Sequence, residues 1–411
     1  MPILYVFYIK LALTLLSCVA GYFLLTHYER FASLLERNKT YTTASLIFIT
    51  RVIPFILVFI VLKELPRGDI PFFYYKGTHA LRLELVYRDF WSFHAPLFSY
   101  LLALPLLIVH HPASIVALMM VGEVICVLYT YRFYQERDKA AFRKLVHYLI
   151  MPAPMIICLL GGQEDIWLWG FALWGLAVLL RTQSEVKLGL VVALALLSLK
   201  VTVAFFLFPL FFSIKNKVKF VLTLALVGIP SIALLYSLVG LDFLMLVKHT
   251  EDPYSPNLYS ILRPFMGQHV NVTLMNWIGL GCFLPIATWI GFQCRTKSLE
   301  KIYPLLFIIT YGLMQLFLPS AMAYYMFIYF IVLVFVKWNI TDKRYFIQLL
   351  LLNILLVVQP FVYVSLDNPV FNSFAFLGSP ALLGEYLLEC GFVVLLANTV
   401  WLTYKELKEV V

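Results

Sequence analysis

Charged residues are scarce in this 411-residue chain: Asp, Glu, Lys and Arg make up 13% of it, whereas a soluble domain contains about 25%. Hydrophobic residues make up 62%, and the mean hydropathy is +0.90. These values exclude a soluble globular fold of ordinary composition. Apolar runs recur along the whole chain, and about 20 apolar residues cross a bilayer as a helix. The sequence therefore predicts a polytopic membrane protein in contact with the lipid bilayer.

The chain also lacks the motifs of nucleotide, metal and nucleic-acid sites. It has no glycine-rich loop followed by Lys-Ser or Lys-Thr, which argues against a nucleotide-driven pump. Its six cysteines have no metal or redox spacing, and His110 and His111 cannot both face one metal from a helix. We therefore predict no cofactor and no metal-ligating residues, and whether the protein depends on a metal stays open. The net charge of +9 is spread over short loops, which fits topology signals and not a nucleic-acid partner.

The apolar runs are continuous rather than alternating, so they predict helices instead of a barrel. We expect an all-α membrane protein, one domain over 1–411, with roughly 11–13 transmembrane helices of which some are short or re-entrant. The predicted helices are 3–26, 43–63, 95–110, 112–131, 145–160, 166–181, 186–199, 201–213, 218–239, 276–293, 302–319, 321–337, 345–364 and 382–404.

Basic clusters between these helices predict the cytoplasmic side. The loops on the opposite side are then 64–94, 161–165, 240–275, 319–323 and 365–381, together with the bend near Lys200. The segment 186–213 is too short for two crossings of about 20 residues each. It predicts a pair of short or re-entrant helices around Lys200, which must face protein or a water-filled cavity. The number of crossings between 95 and 131 stays open.

The loop 64–94 is the predicted catalytic loop because it concentrates charge between two apolar runs. Asp69 follows the apolar run directly, so its carboxylate is partly desolvated and suited to take a proton from a hydroxyl. The structural alternative is a charge that anchors a helix end at the membrane interface. Candidate substrate contacts in this loop are Tyr74, Tyr75, Arg82, Arg88 and His94.

Two further constellations lie on the same predicted side. The turn 161–165 carries Gln163, Glu164 and Asp165, which could bind sugar hydroxyls; the alternative is a plain turn between helices. Lys200 is the lone cation of a long apolar stretch, and an intramembrane cation is costly unless it is paired. It could bind a phosphate, or form a salt bridge with a carboxylate of another helix.

The loop 240–275 supplies hydrogen-bond donors for a phosphate, and 257–267 has the pattern of an amphipathic helix lying on the membrane. Solvated loop charges explain the same residues equally well. Tyr324 follows a helix end on this side, where tyrosines also form the aromatic belt of membrane proteins. The candidate substrate contacts are His249, Asn257, Tyr259, Arg263, His269 and Tyr324.

The order of these segments resembles a known family. Asp69, the Tyr-rich stretch after it and the Ala-Pro-Leu-Phe entry to a helix at 95–98 are similar to the GT-C superfamily of membrane glycosyltransferases. Closest are the polyprenol-phosphate-mannose-dependent type, glycosyltransferase family 87, and the mannosyltransferase of glycosylphosphatidylinositol assembly. The turn 162–165 resembles their Gly-Gln-x-Asn turn, and 188–200 and 257–259 resemble their Gly...Lys and Asn-x-Ser segments. This chain departs from the pattern at Ala95, at Asp165 and in the additional helix 3–26.

The resemblance implies an inverting glycosyltransferase with a GT-C-like helical bundle. It would move a sugar, with mannose expected, from a polyprenyl-phosphate donor to a lipid- or glycan-linked acceptor at the extracytoplasmic face. Asp69 would be the general base, and the leaving phosphate would face Lys200, Arg263 or His269. We expect a multi-pass protein of a bacterial plasma membrane rather than of the endoplasmic reticulum.

Two other functions compete with this prediction. A transporter or lipid flippase would line a path through the membrane with its charges, whereas most charges here gather in loops on one side. A non-catalytic assembly partner would copurify with a catalytic subunit.

Overall fold

The structure, a computed structural model, describes residues 3–245, 252–267 and 271–410. Helices account for 78% of it, and no β-strand occurs within those ranges. The all-α prediction is therefore confirmed. In chain order the helices are α1 (Ile3–Arg37), α2 (Lys39–Val61), α3 (Ile70–Leu81), α4 (Phe98–Leu106), α5 (Pro112–Tyr134), α6 (Ala141–Ile150), α7 (Pro152–Leu160), α8 (Ile166–Thr182), α9 (Glu185–Ser198), α10 (Val203–Ser213), α11 (Lys217–Val239), α12 (Leu258–Met266), α13 (Val272–Gln293), α14 (Leu299–Phe317), α15 (Ala323–Lys337), α16 (Lys343–Ser365) and α17 (Pro380–Glu409).

Seven helices of the described chain are long and apolar enough to cross a membrane: α1, α2, α5, α11, α13, α16 and α17. The pair α6 and α7, bent by 55°, adds an eighth if it forms one span. The prediction of a polytopic membrane protein is confirmed at this level. The number of roughly 11–13 crossings stays a prediction, because α8, α10 and α15 are apolar but shorter.

The centre of the bundle is α14. Every residue from Ile302 to Leu316 is buried, as expected for a helix that is apolar on all sides. It packs against α10, α13, α15 and α17. The outer helices instead expose large apolar side chains such as Leu16 (68%) and Leu226 (75%), which is the surface that a lipid-facing helix presents.

Three short segments position the candidate site. The prediction of a loop over 64–94 was wrong in one respect, because this segment contains the helix α3. Pro71 lies in the first turn of α3, where proline is well tolerated, and α3 packs on α4. The turn 161–165 joins α7 to α8 as predicted. The break at 199–202 separates α9 from α10, which confirms the pair of short helices around Lys200.

Backbone hydrogen bonds join these segments. The amide of Ala95 donates to the carbonyl of Leu199 (2.9 Å), and the amide of Leu97 donates to the carbonyl of Leu197 (2.9 Å). The entry to α4 is therefore fixed against the end of α9. Helix α12 falls within the predicted amphipathic segment 257–267, so its helical structure is confirmed.

Candidate functional site

A group of ionisable and polar side chains meets where α3, the turn 161–165 and the break after α9 converge. We call it the Asp69 cluster. Its members are Asp69, Lys76, His94, Gln163, Glu164, Asp165 and Lys200. Asp69 and Lys200, which are distant in sequence, each contact a residue of the turn 161–165: Asp69 contacts Gln163, and Lys200 contacts Asp165.

Asp69 lies directly before α3 and is half-buried. The side-chain amide of Gln163 donates to its Oδ2 at 2.8 Å. The two loops can approach this closely because Gly68 has no side chain: a Cβ there would lie 2.6 Å from the carbonyl oxygen of Gly161. Gly68 also has a φ of +66°, in the region that favours glycine.

Lys200 is the cation at the centre of the cluster. Its Nζ lies 2.7 Å from Glu164 Oε1 and 2.7 Å from Asp165 Oδ1. Both carboxylates are fully buried. The structural alternative considered for Lys200, a salt bridge with carboxylates of another segment, is therefore present. An ammonium has three donors and the two carboxylates use two of them, which leaves one for a ligand.

His94 and Lys76 extend the cluster towards α3. His94 Nε2 lies 3.1 Å from Glu164 Oε1, and Lys76 Nζ lies 3.3 Å from His94 Nδ1. These partners assign the proton of a neutral His94 to Nε2, so that Nδ1 accepts from the ammonium. Lys76 is buried, and its ammonium lies 4.6 Å from the centre of the Trp91 ring.

The environment alters the pKa of each carboxyl group. Burial, with a smaller effect of Glu164, raises the pKa of Asp69 above its usual 3.8, although the hydrogen bond from Gln163 opposes the rise. Burial also raises the pKa of Asp165 to about 7. Burial alone would raise the pKa of Glu164 too, but Lys200 and then His94 hold it below its ordinary range.

Burial lowers the pKa of two of the basic groups, whereas the pKa of Lys200 rises. Burial lowers the pKa of His94 to about 4, so the imidazole is neutral at pH 7. Burial lowers the pKa of Lys76 to about 8, although Glu164 and Asp69 favour its charged form. Lys200 keeps its proton: burial opposes its charge, but Asp165 and Glu164 together raise its pKa well above 10.5.

The cluster contains more acceptors than its own donors satisfy. Three carboxyl groups face two ammonium groups and one neutral imidazole. Gln163 Oε1, Glu164 Oε2 and Asp165 Oδ2 are buried and have no hydrogen-bond partner within the described chain. Buried polar atoms are normally satisfied. A ligand with hydroxyl groups would supply the donors that these oxygens need.

The other predicted residues of the loop 64–94 lie outside this cluster. Arg82 is exposed beside Glu84 at 4.0 Å, and Arg88 is exposed beside Asp89 at 2.8 Å. The ring of Tyr74 contacts His110, and that of Tyr75 lies near Trp91.

The predicted contacts of the loop 240–275 separate into three groups. Asn257 has a structural role: its side-chain nitrogen donates to the carbonyls of Tyr254, Pro319 and Ala321, and its oxygen caps α12. Tyr259 and Arg263 line a different cleft. His249 and His269 lie outside the described residues.

Tyr324 lies near the cluster, with its ring edge-on to that of Tyr325 at 5.1 Å. The Tyr325 ring in turn faces Lys200 Nζ at 5.7 Å. Sequence reasoning missed Lys76 and Tyr325 as neighbours of the site. Lys76 sits between Phe73 and Ala80 on the buried face of α3, a signal that becomes visible only once a helix is predicted there.

Within residues 3–245, 252–267 and 271–410, no group of three or more His, Cys, Asp or Glu side chains is arranged to hold a metal ion. Glu164 and Asp165 instead share the ammonium of Lys200. Comparisons with known protein families, with curated proteins and with solved structures find no match to this chain.

Proposed function

We propose that the chain is an inverting membrane glycosyltransferase of the GT-C type, which moves a sugar, expected to be mannose, from a polyprenyl phosphate to an acceptor hydroxyl. The observation that carries this proposal is the state of Asp69. Its carboxylate is half-buried, is oriented by Gln163, and has a raised pKa. A carboxylate with these properties is a stronger base than one in water and is held in one orientation.

The reaction needs one base and one site for the leaving phosphate. Asp69 takes the proton of the acceptor hydroxyl while the hydroxyl oxygen bonds to the anomeric carbon. The bond from that carbon to the phosphate oxygen breaks, the configuration inverts, and the polyprenyl phosphate leaves with the electron pair. Lys200 contacts Glu164 directly, and Lys76 is linked to the same carboxylate through His94. The two ammonium groups would balance the charge of the phosphate.

An apolar groove beside the cluster supports a lipid-linked donor. It begins at Trp167, two positions after Asp165, and its volume is about 320 Å³. The lining residues are Gly122, Ile125, Cys126, Tyr129, Trp167, Gly170, Phe171 and Trp174. A polyprenyl chain would contact only apolar surface and aromatic rings there, and its phosphate would point towards the cluster.

The test compares Asp69→Asn with Asp89→Asn, a matched change at an exposed aspartate of the same loop. Each purified variant is incubated with polyprenyl-phosphate-mannose and candidate acceptors, and products are measured by mass spectrometry. We expect Asp69→Asn to lose at least about 100-fold in rate, whereas Asp89→Asn keeps its rate. A folded Asp69→Asn protein with full transfer activity would show that the base is another group. Solute uptake into vesicles without a covalent product would favour the transporter.

A further inference from the structure

A groove lies between α2 and α5, at the end of α2 that is far from the Asp69 cluster. Its volume is about 480 Å³, which falls in the usual range of small-molecule sites, about 300–1,000 Å³. The two helices run in opposite directions along it, since α2 begins here at Lys39 and α5 ends here at Tyr134. The other end of α2, at Val61, leads to Asp69.

The ion pair of Arg51 and Glu123 joins the two helices deeper in the bundle. This pair lies about 18 Å from Lys39 along α2 and about 18 Å from Gln135 along α5, at 1.5 Å per residue. Half of the hydrocarbon core of a bilayer is about 15 Å thick. The groove therefore extends along one leaflet, from the membrane surface towards the centre of the bilayer.

The lining of the groove changes from polar to apolar in the same direction. Lys39, Thr40 and Gln135 line it at the helix ends, and all three are exposed. Ile47 and Leu128 line it about two helical turns deeper. A molecule that matches this lining has a polar group at the membrane surface and an apolar chain that points towards the centre. A phospholipid of that leaflet has this orientation.

The polar end of the groove has an excess of positive charge. The segments 29–39 and 132–144, which adjoin it, contain eight basic and four acidic residues. The side chain of Arg132 is exposed, and it follows Leu128 by one helical turn, so it lies beside the groove. Basic pockets between membrane helices attract the head groups of anionic lipids.

Lys39 is the cation of the groove itself. Its ammonium lies 5.3 Å from the centre of the Phe142 ring, in α6, and 3.9 Å from Glu36 Oε2. The side chains of Lys39 and Glu36 are 49% and 43% exposed, and an ion pair of this kind contributes little. Glu36 also accepts from the Tyr28 hydroxyl at 2.9 Å. The ammonium therefore keeps donors for the oxygens of a phosphate.

We propose that this groove binds one anionic phospholipid, with its phosphate at Lys39 and an acyl chain against Ile47 and Leu128. Thr40 and Gln135 supply a hydroxyl and an amide that can donate to phosphate and ester oxygens. The binding is non-covalent, and it does not depend on the proposed transfer of a sugar.

The first experiment identifies the class of lipid. Full-length protein, freed of lipid in detergent, is titrated with dioleoyl phosphatidylglycerol or with dioleoyl phosphatidylcholine, and bound lipids are counted by native mass spectrometry. We expect one tight site per chain, with at least about fivefold higher affinity for the anionic lipid. Equal affinity for the two lipids would overturn the anionic class. Equally tight binding of glycerol 3-phosphate, which has no acyl chain, would overturn the lipid.

The second experiment tests the cation with a matched control. Lys39→Ala should weaken the binding of phosphatidylglycerol about fivefold, as for the loss of one cation near a membrane surface. Lys343 is also exposed and is also the first residue of a membrane-length helix, α16, but it does not line the groove. Lys343→Ala should leave the affinity unchanged. Equal losses in the two variants would show that binding follows net charge, and they would overturn the proposal.

The third experiment tests the apolar part of the groove. Ala44 lines it, so Ala44→Trp places an indole where the acyl chain would lie. We expect at least about tenfold weaker binding, since the contacts of a few methylene groups are lost. Ile49→Trp adds the same ring at a position of α2 that is 56% exposed and outside the groove, and it should keep the affinity. Unchanged binding in Ala44→Trp, or an equal loss in both variants, would refute the site.

Discussion

Two of the buried groups of charged side chains in the described chain are built differently. In the first, Arg51 of α2 and Glu123 of α5 form a pair with two hydrogen bonds of 2.8 Å, from Nε to Oε2 and from Nη2 to Oε1. Both side chains are 0% exposed. The remaining nitrogen, Nη1, faces the carbonyls of Thr50 and Leu149. Each charge of this pair has its counterpart.

The Asp69 cluster is not matched in this way. Its three carboxyl groups share two ammonium groups, and buried oxygens of Glu164 and Asp165 have no partner in the described chain. The Arg51 and Glu123 pair lies within two membrane-length helices, whereas the members of the cluster other than Lys76 lie at helix ends, in turns and in loops. The difference separates a structural ion pair from a site that needs a ligand to complete it.

The largest expected effect comes from breaking the matched pair. Arg51→Met leaves the Glu123 carboxylate buried without a counter-charge, which should cost about 3–5 kcal/mol in the free energy of unfolding. The double variant Arg51→Met with Glu123→Leu should recover most of that loss, because no buried charge remains. Unfolding in a denaturing detergent measures both. A double variant as unstable as the single one would mean that packing, and not charge, is the reason for the loss.

Lys200→Met makes the corresponding change in the cluster, and a smaller loss is expected. The two carboxyl groups can respond by taking up a proton, since the pKa of Asp165 is already about 7. We expect a loss of about 1–3 kcal/mol at pH 8, as for buried groups left without a partner, and a smaller loss at pH 5. The same detergent unfolding, repeated at the two pH values, tests this. A loss that does not depend on pH would show that the carboxylates do not titrate together with Lys200.

Much of this arrangement follows from the sequence. The runs of apolar residues locate most helices, and the short spacing around Lys200 predicts the break between α9 and α10. The turn 161–165 is recognisable because polar residues interrupt two apolar segments. These features depend on local composition and on the thickness of a bilayer, both of which a single sequence contains.

The rest depends on contacts between distant segments. Lys76 was not predicted in the site because α3 is short and lies among charged residues that indicated a loop. The contacts of Lys200 with Asp165 and Glu164 are tertiary contacts, which the spacing of residues alone does not determine. Glu385 and Glu389 lie one turn apart on α17, but their burial requires α12 to cover them. The structural role of Asn257 also depends on contacts between distant segments, so the sequence did not predict it.

The pH dependence of transfer tests the orientation of the proposed base. Asp69 must be ionised to accept a proton, and its pKa is raised, so the rate should rise with pH at a midpoint above the ordinary 3.8 of an aspartate. Gln163 donates to this carboxylate and favours its charged form. Gln163→Leu should therefore move the midpoint to higher pH, and kcat/KM profiles measure the shift. An unchanged midpoint would exclude Asp69 as the titrating base.

The smallest expected effect comes from making the cluster resemble the matched pair. Asp165→Asn leaves two carboxyl groups for two ammonium groups, and the amide oxygen can still accept from Lys200. We expect the free energy of unfolding at pH 8 to change by no more than about 1 kcal/mol. The informative quantity is the slope of stability against pH.

The sign of that slope follows from the pKa of Asp165, about 7 in the folded protein against an ordinary 3.8. Between these values the unfolded chain is ionised and the folded protein is protonated, so this group makes the unchanged protein less stable as pH rises. Asp165→Asn removes that dependence, and its stability relative to the unchanged protein should increase from pH 4 to pH 8. Glu123→Gln, made within the matched pair, should show no such gain at alkaline pH, because it leaves Arg51 buried without its counter-charge. If both substitutions changed the free energy of unfolding with the same dependence on pH, this result would contradict the distinction between a balanced pair and an unbalanced cluster.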